Sequence, residues 1–233
     1  MLFLPEFNWI VTPTAMIGSL LVYFAVLIGL KFFCVRLSEP FVKFAMTLYN
    51  LTQIVINSAM VVGLATPLWV TNTKFSFFGF NTTYQKDIEM WILVHYLSKW
   101  VDWLDTVFMF VRGKYEQASF LHIYHHSTVH LIWGFLLHIG HGNGTIAFGA
   151  LLNSFVHVVM YSHYLTASLN WKNPFKKYVT TLQIVQFYLD ILHAVLVLWG
   201  WEDKCPKNLA LLQFFYTLSM VILFTQLYRR QYK

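Results

Sequence analysis

Residues 14–33 read TAMIGSLLVYFAVLIGLKFF, twenty consecutive positions with a single charge, Lys31, close to the end. A helix rises about 1.5 Å per residue, so a run of this length spans the roughly 30 Å hydrocarbon core of a bilayer. Outward from it, six more apolar runs follow at about 46–69, 88–111, 119–139, 144–165, 178–200 and 208–227. Pro13, Pro40, Pro67, Pro174 and Pro206 fall at or just outside the run ends, where helices tolerate proline. Composition agrees: the chain is 58% apolar and 11% charged, against roughly 45–50% and about 25% in soluble proteins. Its mean hydropathy is +0.55. Sixteen Lys+Arg and ten Asp+Glu among 233 residues cannot coat a soluble globule. The same figures exclude disorder, collagen and coiled coil, and Cys34 and Cys205 make neither a disulfide framework nor a metal-type pair. The prediction is an all-α integral membrane protein, one membrane domain over 1–233 with seven transmembrane helices. MLFLPEFNWIV at the start lacks the basic n-region and cleavage site of a signal peptide.

Basic residues orient the bundle. The N-terminus and the loops after spans 2, 4 and 6 hold four: Lys74, Lys86, Lys204 and Lys207. The other loops and the C-terminus hold eleven: Lys31, Arg36, Lys43, Arg112, Lys114, Lys172, Lys176, Lys177, Arg229, Arg230 and Lys233. This predicts a lumenal N-terminus and a cytosolic C-terminus, with the glycosylation-type triplet Asn81-Thr82-Thr83 on the lumenal side. The basic loops serve topology alone or also hold an anionic substrate at the cytosolic face.

Ionisable residues inside spans are costly and point to function. Here they recur at helical spacing. Span 3 carries His95, Lys99, Asp102, Asp105 and Thr106; span 4 carries His122, His125, His126 and His130; span 5 carries Asn153, His157, Tyr161 and Tyr164. Span 6 adds Gln183, Gln186, Asp190 and His193, and span 2 adds Asn50, Gln53 and Asn57. Steps of three and four put each set on one face, so five helices turn polar stripes toward a shared interior. With the orientation above, His122–His126, His157, Asp102 and Asp105 converge on one level in the cytosolic half. The span 2 amides, Gln183, Gln186 and the Lys99–Asp102 pair also fit plain helix-to-helix hydrogen bonding. His193 and His138 stand apart and read as structural.

Two chemistries use three imidazoles on one helical turn. One is metal binding. Di-iron desaturases and hydroxylases need several histidine boxes, whereas HIYHH at 122–126 is the only one here; a zinc site would need Asp102 or His157 as a further ligand. No resident metal or cofactor is expected. The other is nucleophilic and acid-base catalysis. A seven-helix transporter or receptor is a third class, and it leaves HIYHH unexplained.

FLHIYHHS at 120–127, KWVDWLDT at 99–106, NSFVHVVMYSHY at 153–164 and TTLQIVQF at 180–187 resemble, in order and spacing, the four signatures of the very-long-chain fatty acid elongases; EPFVKFAMTLYN at 39–50 resembles a fifth stretch. The resemblance runs from about 14 to 227. It implies an endoplasmic reticulum enzyme with six of seven helices around an acyl-chain tunnel. It also implies condensation of an acyl-CoA with malonyl-CoA to a 3-ketoacyl-CoA, with loss of carbon dioxide and CoA. His125 would be the nucleophile, with His157 and His126 positioning substrate or stabilising the enolate and His122 as a further partner. Asp102 and Asp105 would orient imidazoles, and Lys99 would offset their charge. Asn153, Tyr161, Gln183, Gln186, Lys176 and Lys177 would contact substrate. The implied partners are the two CoA thioesters, membrane lipid, a second copy of the chain and other enzymes of the elongation cycle, with no nucleic acid.

Three departures stand out. Asp102 occupies a position where the family usually has Glu, keeping the charge with a shorter reach. His163 stands where many members have Tyr, which by analogy leans toward polyunsaturated substrates. RRQYK at the end lacks the dilysine pattern common in the family.

Overall fold

The computed structural model describes residues 5–71, 76–171 and 174–232. Seven long helices account for most of them: α1 (Pro13–Phe32), α2 (Glu39–Ala65), α3 (Lys86–Val111), α4 (Phe120–His138), α5 (Ala147–Ser168), α6 (Lys176–Leu198) and α7 (Lys207–Tyr232). A 3-10 helix over Pro5–Val11 leads into α1, and a π-helical turn over Thr66–Val70 prolongs α2. There is no β-strand among the described residues.

Local chemistry sets the helix ends. Thr12 caps α1, its side chain accepting from the Ala15 amide, with Pro13 in the first turn. Ser119 caps α4 in the same way, accepting from the His122 amide at 3.3 Å. Ser38 precedes α2 in extended geometry with Pro40 in the first turn, so α2 begins at Glu39, seven residues ahead of its apolar run. Five helices end alike, with a left-handed residue two positions past the last helical one: Cys34, Gly113, Gly140, Asn170 and Gly200. In each, that residue and the next donate back to the final turn, as in Gly140 to Leu137 and His141 to Leu136. These are Schellman closures, which satisfy carbonyls the helix itself leaves bare.

Packing follows a closed order. α2 contacts α3, α3 contacts α4, α4 contacts α7, α7 contacts α6, α6 contacts α5, and α5 returns to α2. The α2–α5 and α6–α7 seams are the most extensive, and the α4–α7 seam the thinnest. α1 stays outside this ring against α3 and α4.

The burial pattern is inverted relative to a soluble protein. Ile17, Leu21 and Val22 of α1, Val55 and Val62 of α2 and Phe215 and Ile222 of α7 are exposed, whereas Gln53, Asn57, His95, Lys99 and Asp102 are buried. An apolar exterior around a core that also holds buried charged and amide side chains is stable in lipid and not in water. Five helical segments, Pro13–Phe32, Glu39–Val70, Gly144–Ser168, Lys176–Leu198 and Lys207–Tyr232, are long and apolar enough to cross a membrane. α3 and α4 are not among them. α3 carries Lys99, Asp102 and Asp105, and α4 carries its histidines, all of which lower mean hydropathy. The chain is thus a multi-pass membrane protein, and buried polar residues fall on α3 and α4 as well as on the more apolar α2, α5 and α6. Of the basic residues counted for the expected orientation, Lys74, Lys172 and Lys233 lie outside the described residues.

Gly63 permits the α2–α3 seam, because a Cβ there would fall inside the Trp91 indole. Gly63→Ala is expected to destabilise the fold by about 1–3 kcal/mol through overpacking. The check is the thermal midpoint of the detergent-solubilised protein, and an unchanged midpoint would show that the indole moves freely.

Candidate functional site

The polar faces of α2, α3 and α5 meet in one buried network. The Lys99 ammonium donates to Asp102 Oδ2 at 3.0 Å and to Asn153 Oδ1 at 3.0 Å. Asp102 Oδ1 accepts from Gln53 at 2.5 Å and from the Tyr161 hydroxyl at 3.0 Å. Tyr161 also reaches Asp105 Oδ2 at 2.8 Å and the Tyr49 hydroxyl at 3.1 Å. Lys99, Asp102, Gln53 and Tyr161 are each at most 2% exposed, so each charge is held by a partner rather than by water. Helical spacing explains the convergence. Tyr49 and Gln53 are one turn apart on α2, Lys99, Asp102 and Asp105 share a face of α3, and Asn153, His157 and Tyr161 share a face of α5.

The imidazoles border this network. His157 Nδ1 lies 3.8 Å from Asp102 Oδ2. On α4 the rings of His122 and His126 are 4.2 Å apart, centroid to centroid, and those of His125 and His126 are 5.6 Å apart. His122 Nε2 pairs with Thr106 Oγ1 at 2.8 Å, and Thr106 in turn accepts from Tyr23 of α1 at 2.8 Å. That chain fixes the His122 ring from outside. His125 Nδ1 is buried with no hydrogen-bond partner in the protein. Among the described residues no three His, Cys, Asp or Glu side chains converge as a metal ion would need.

Beside the network lies a mostly apolar cavity of about 100 Å³ among α4, α5, α6 and α7. His125, Asn153 and Gln186 line it near the network, and Val129, Trp133, Leu136 and Leu209 line its farther walls. His125 is the member of the HIYHH turn that faces it. Asn153 joins the two regions, since its amide oxygen holds Lys99 while the residue borders the cavity.

The expected site residues divide accordingly. Lys99, Asp102, Asp105, His122, His125, His126, His157 and Asn153 come together. Tyr161 is fully buried with its hydroxyl bonded to both carboxyl groups, so it positions acids. Gln186 lines the cavity, while the Gln183 amide lies against Met160 Sδ at 3.5 Å. Lys176 and Lys177 are exposed at the start of α6, Lys177 over the Tyr228 ring at 5.9 Å. His130 leaves the turn it was grouped with: it is buried against Tyr96 and Trp103, with Nε2 3.2 Å from Ser19 of α1. His193 is tied to Thr145 and Gln213. Tyr49 and Gln53 were missed as site residues. Their signal was the Tyr49–Gln53 step of four within a stripe that also fits plain helix-to-helix bonding.

Residues 8–233 match the model of the GNS1/SUR4 family, ELO. The chain is 43% identical over 228 residues to "Fatty acid elongase 5" of Leishmania major, covering 98% of this chain and 89% of that one. It is 41% identical over 227 residues to "Fatty acid elongase 4" of Trypanosoma brucei brucei, covering 97% and 87%. It is 34% identical over 233 residues to "Very long chain fatty acid elongase 4" of Homo sapiens, covering 95% and 71%.

Proposed function

The chain belongs to the GNS1/SUR4 (ELO) family, and from that premise we propose that it is a 3-ketoacyl-CoA synthase of fatty acid elongation, joining a long-chain acyl-CoA to malonyl-CoA. The observation that carries this reading is His125. Its ring borders the apolar cavity, and its Nδ1 is free of any protein partner beside a buried Lys–Asp–His network.

The steps follow from the chemistry of these groups. The His125 imidazole attacks the acyl thioester carbonyl, the C–S bond breaks, and the imidazole N–H proton leaves with the CoA sulfur. Malonyl-CoA then loses its carboxylate as carbon dioxide, and the electron pair of the broken C–C bond becomes an enolate. The enolate carbon attacks the acyl carbonyl, the N–C bond breaks, and the imidazole regains one proton from solvent. The product is two carbons longer. His126 and His157 flank the reacting carbonyl, and the Lys99 charge reaches the same place through Asn153. Preorganised groups of this kind stabilise developing charge without reorganising.

In this reading all seven helices cross the endoplasmic reticulum membrane, with the N-terminus lumenal and the HIYHH turn in the cytosolic half. The closed helix order then makes α2–α7 a barrel around the acyl chain. Substrates are taken as long and polyunsaturated, with a second copy of the chain and the other cycle enzymes as neighbours in the membrane.

The test is direct. Purified protein given an acyl-CoA and carboxyl-labelled malonyl-CoA is expected to release labelled carbon dioxide in step with a 3-ketoacyl-CoA two carbons longer. Release without chain extension, or no release with any acyl-CoA from C14 to C24, overturns the reading.

A further inference from the structure

An alkyl chain needs only apolar walls, yet the cavity holds a carboxyl group that the proposed condensation does not use. Asp190 of α6 lines it and is 6% exposed; its carboxyl meets the Gln186 side chain one turn earlier, while its Oδ1 has no hydrogen-bond partner in the protein. Gln213 of α7 is committed elsewhere: it donates to the Asp190 backbone carbonyl at 2.9 Å and meets His193 Nδ1 at 3.1 Å. Across the cavity, Gly149 of α5 leaves room. A Cβ there would stand 3.8 Å from Asp190 Oδ1 and 4.0 Å from the Trp133 ring. The carboxyl oxygen therefore faces a gap bounded by Gly149 and Trp133. A buried polar atom facing an apolar chain is costly unless that chain brings a hydrogen-bond donor.

We propose that Asp190 and the gap beside Gly149 form a subsite for a hydroxyl group carried in the middle of the acyl chain. The hydroxyl donates its proton to Oδ1, and the chain continues along the apolar wall. The position follows from helix geometry: Trp133 is eight residues beyond His125 on α4, about 12 Å along the axis. An extended alkyl chain attached at His125, zigzagging through C–C bonds of about 1.5 Å, reaches that depth at roughly its ninth or tenth carbon. A site built to pair a hydroxyl discriminates against the analogue lacking it, because its own polar atom is then left bare.

This inference rests on the acyl-CoA reading, so the experiment tests both separately. Full-length protein is assayed with malonyl-CoA and three substrates: hexadecanoyl-CoA, 9-hydroxyhexadecanoyl-CoA and 2-hydroxyhexadecanoyl-CoA. The expected result is a kcat/KM at least about tenfold higher for the 9-hydroxy substrate than for the plain one, with no such gain for the 2-hydroxy isomer. Asp190→Leu is expected to erase that preference and Asp190→Asn, which retains an acceptor, to keep part of it. Gly149→Ala narrows the gap while leaving the carboxyl in place, and is expected to lower the preference even if Asp190→Leu fails to fold. Equal 9-hydroxy and plain rates in the native protein, or a preference that survives both Asp190→Leu and Gly149→Ala, overturns the subsite while leaving the elongase reading intact. No elongation of any substrate by the native protein overturns both.

Discussion

His125→Ala is expected to abolish elongation, lowering kcat/KM by about a thousandfold or more, and to abolish acyl transfer to the protein. A nucleophile is not replaced by neighbours that do not reach the substrate. His122 is bonded to Thr106, and neither it nor His126 nor His157 lines the cavity that His125 borders. His125 borders the cavity with Nδ1 unengaged. The variant should stay folded, since the side chain ties no partner through Nδ1 and its ring meets His126 and Phe224 edge-on at centroid distances of 5.6 and 6.3 Å. The check omits malonyl-CoA. The native protein, given an acyl-CoA labelled in the acyl group, should retain label until malonyl-CoA is added, and the variant should retain none while keeping a near-native thermal midpoint. A labelled His125→Ala protein, or one that elongates at near-normal rate, would place the nucleophile elsewhere.

Much of this site was legible because membrane helices carry few polar residues, and each carries a cost that demands a reason. Lys99, Asp102 and Asp105, the HIYHH turn, and Asn153 with His157 and Tyr161 could be placed on common faces by spacing alone. Spacing fails where a face drifts. His130 is eight residues from His122, and eight steps of about 100° leave it roughly 80° round the helix. That is enough to turn it from the interior to α1, where Ser19 meets it. Partner choice between helices was not legible either. α7 comes between α4 and α6 in the ring, and its seam with α6 brings Gln213 to His193 and the Asp190 carbonyl. Tyr161 shows the same limit. Its face predicts an interior position, but that its hydroxyl bridges two carboxyl groups depends on how α5 sits against α3. The helix ends were read from apolar runs, which miss the first turns of α2. Lipid-facing hydropathy does not register a start set by Ser38 and Pro40.

Breaking the Lys99–Asp102 pair should have the largest effect on the fold itself. Asp102→Ala removes the acceptor of Lys99, leaving a buried ammonium with Asn153 as its remaining partner. It also strips the shared acceptor from Gln53 and Tyr161. An uncompensated buried charge costs about 3–5 kcal/mol. For a domain of this size that is a fall of roughly 6–20 °C in the thermal midpoint. Elongation should also be lost, because the acid that holds Lys99 and faces His157 is gone. The double variant Lys99→Met with Asp102→Leu separates the two roles. With both charges replaced by apolar groups of similar size, no buried charge is left unpaired, and the midpoint should recover most of the loss. Activity should not recover, since neither charge nor orienting carboxylate returns. A double variant that elongates at near-native rate would make the pair purely structural. One that stays as unstable as Asp102→Ala would show that the bonds from Gln53 and Tyr161, rather than the ion pair, hold α2, α3 and α5 together. A recovered midpoint without recovered turnover assigns the pair to activity rather than to stability, because a charge kept only for stability would be better replaced by packing.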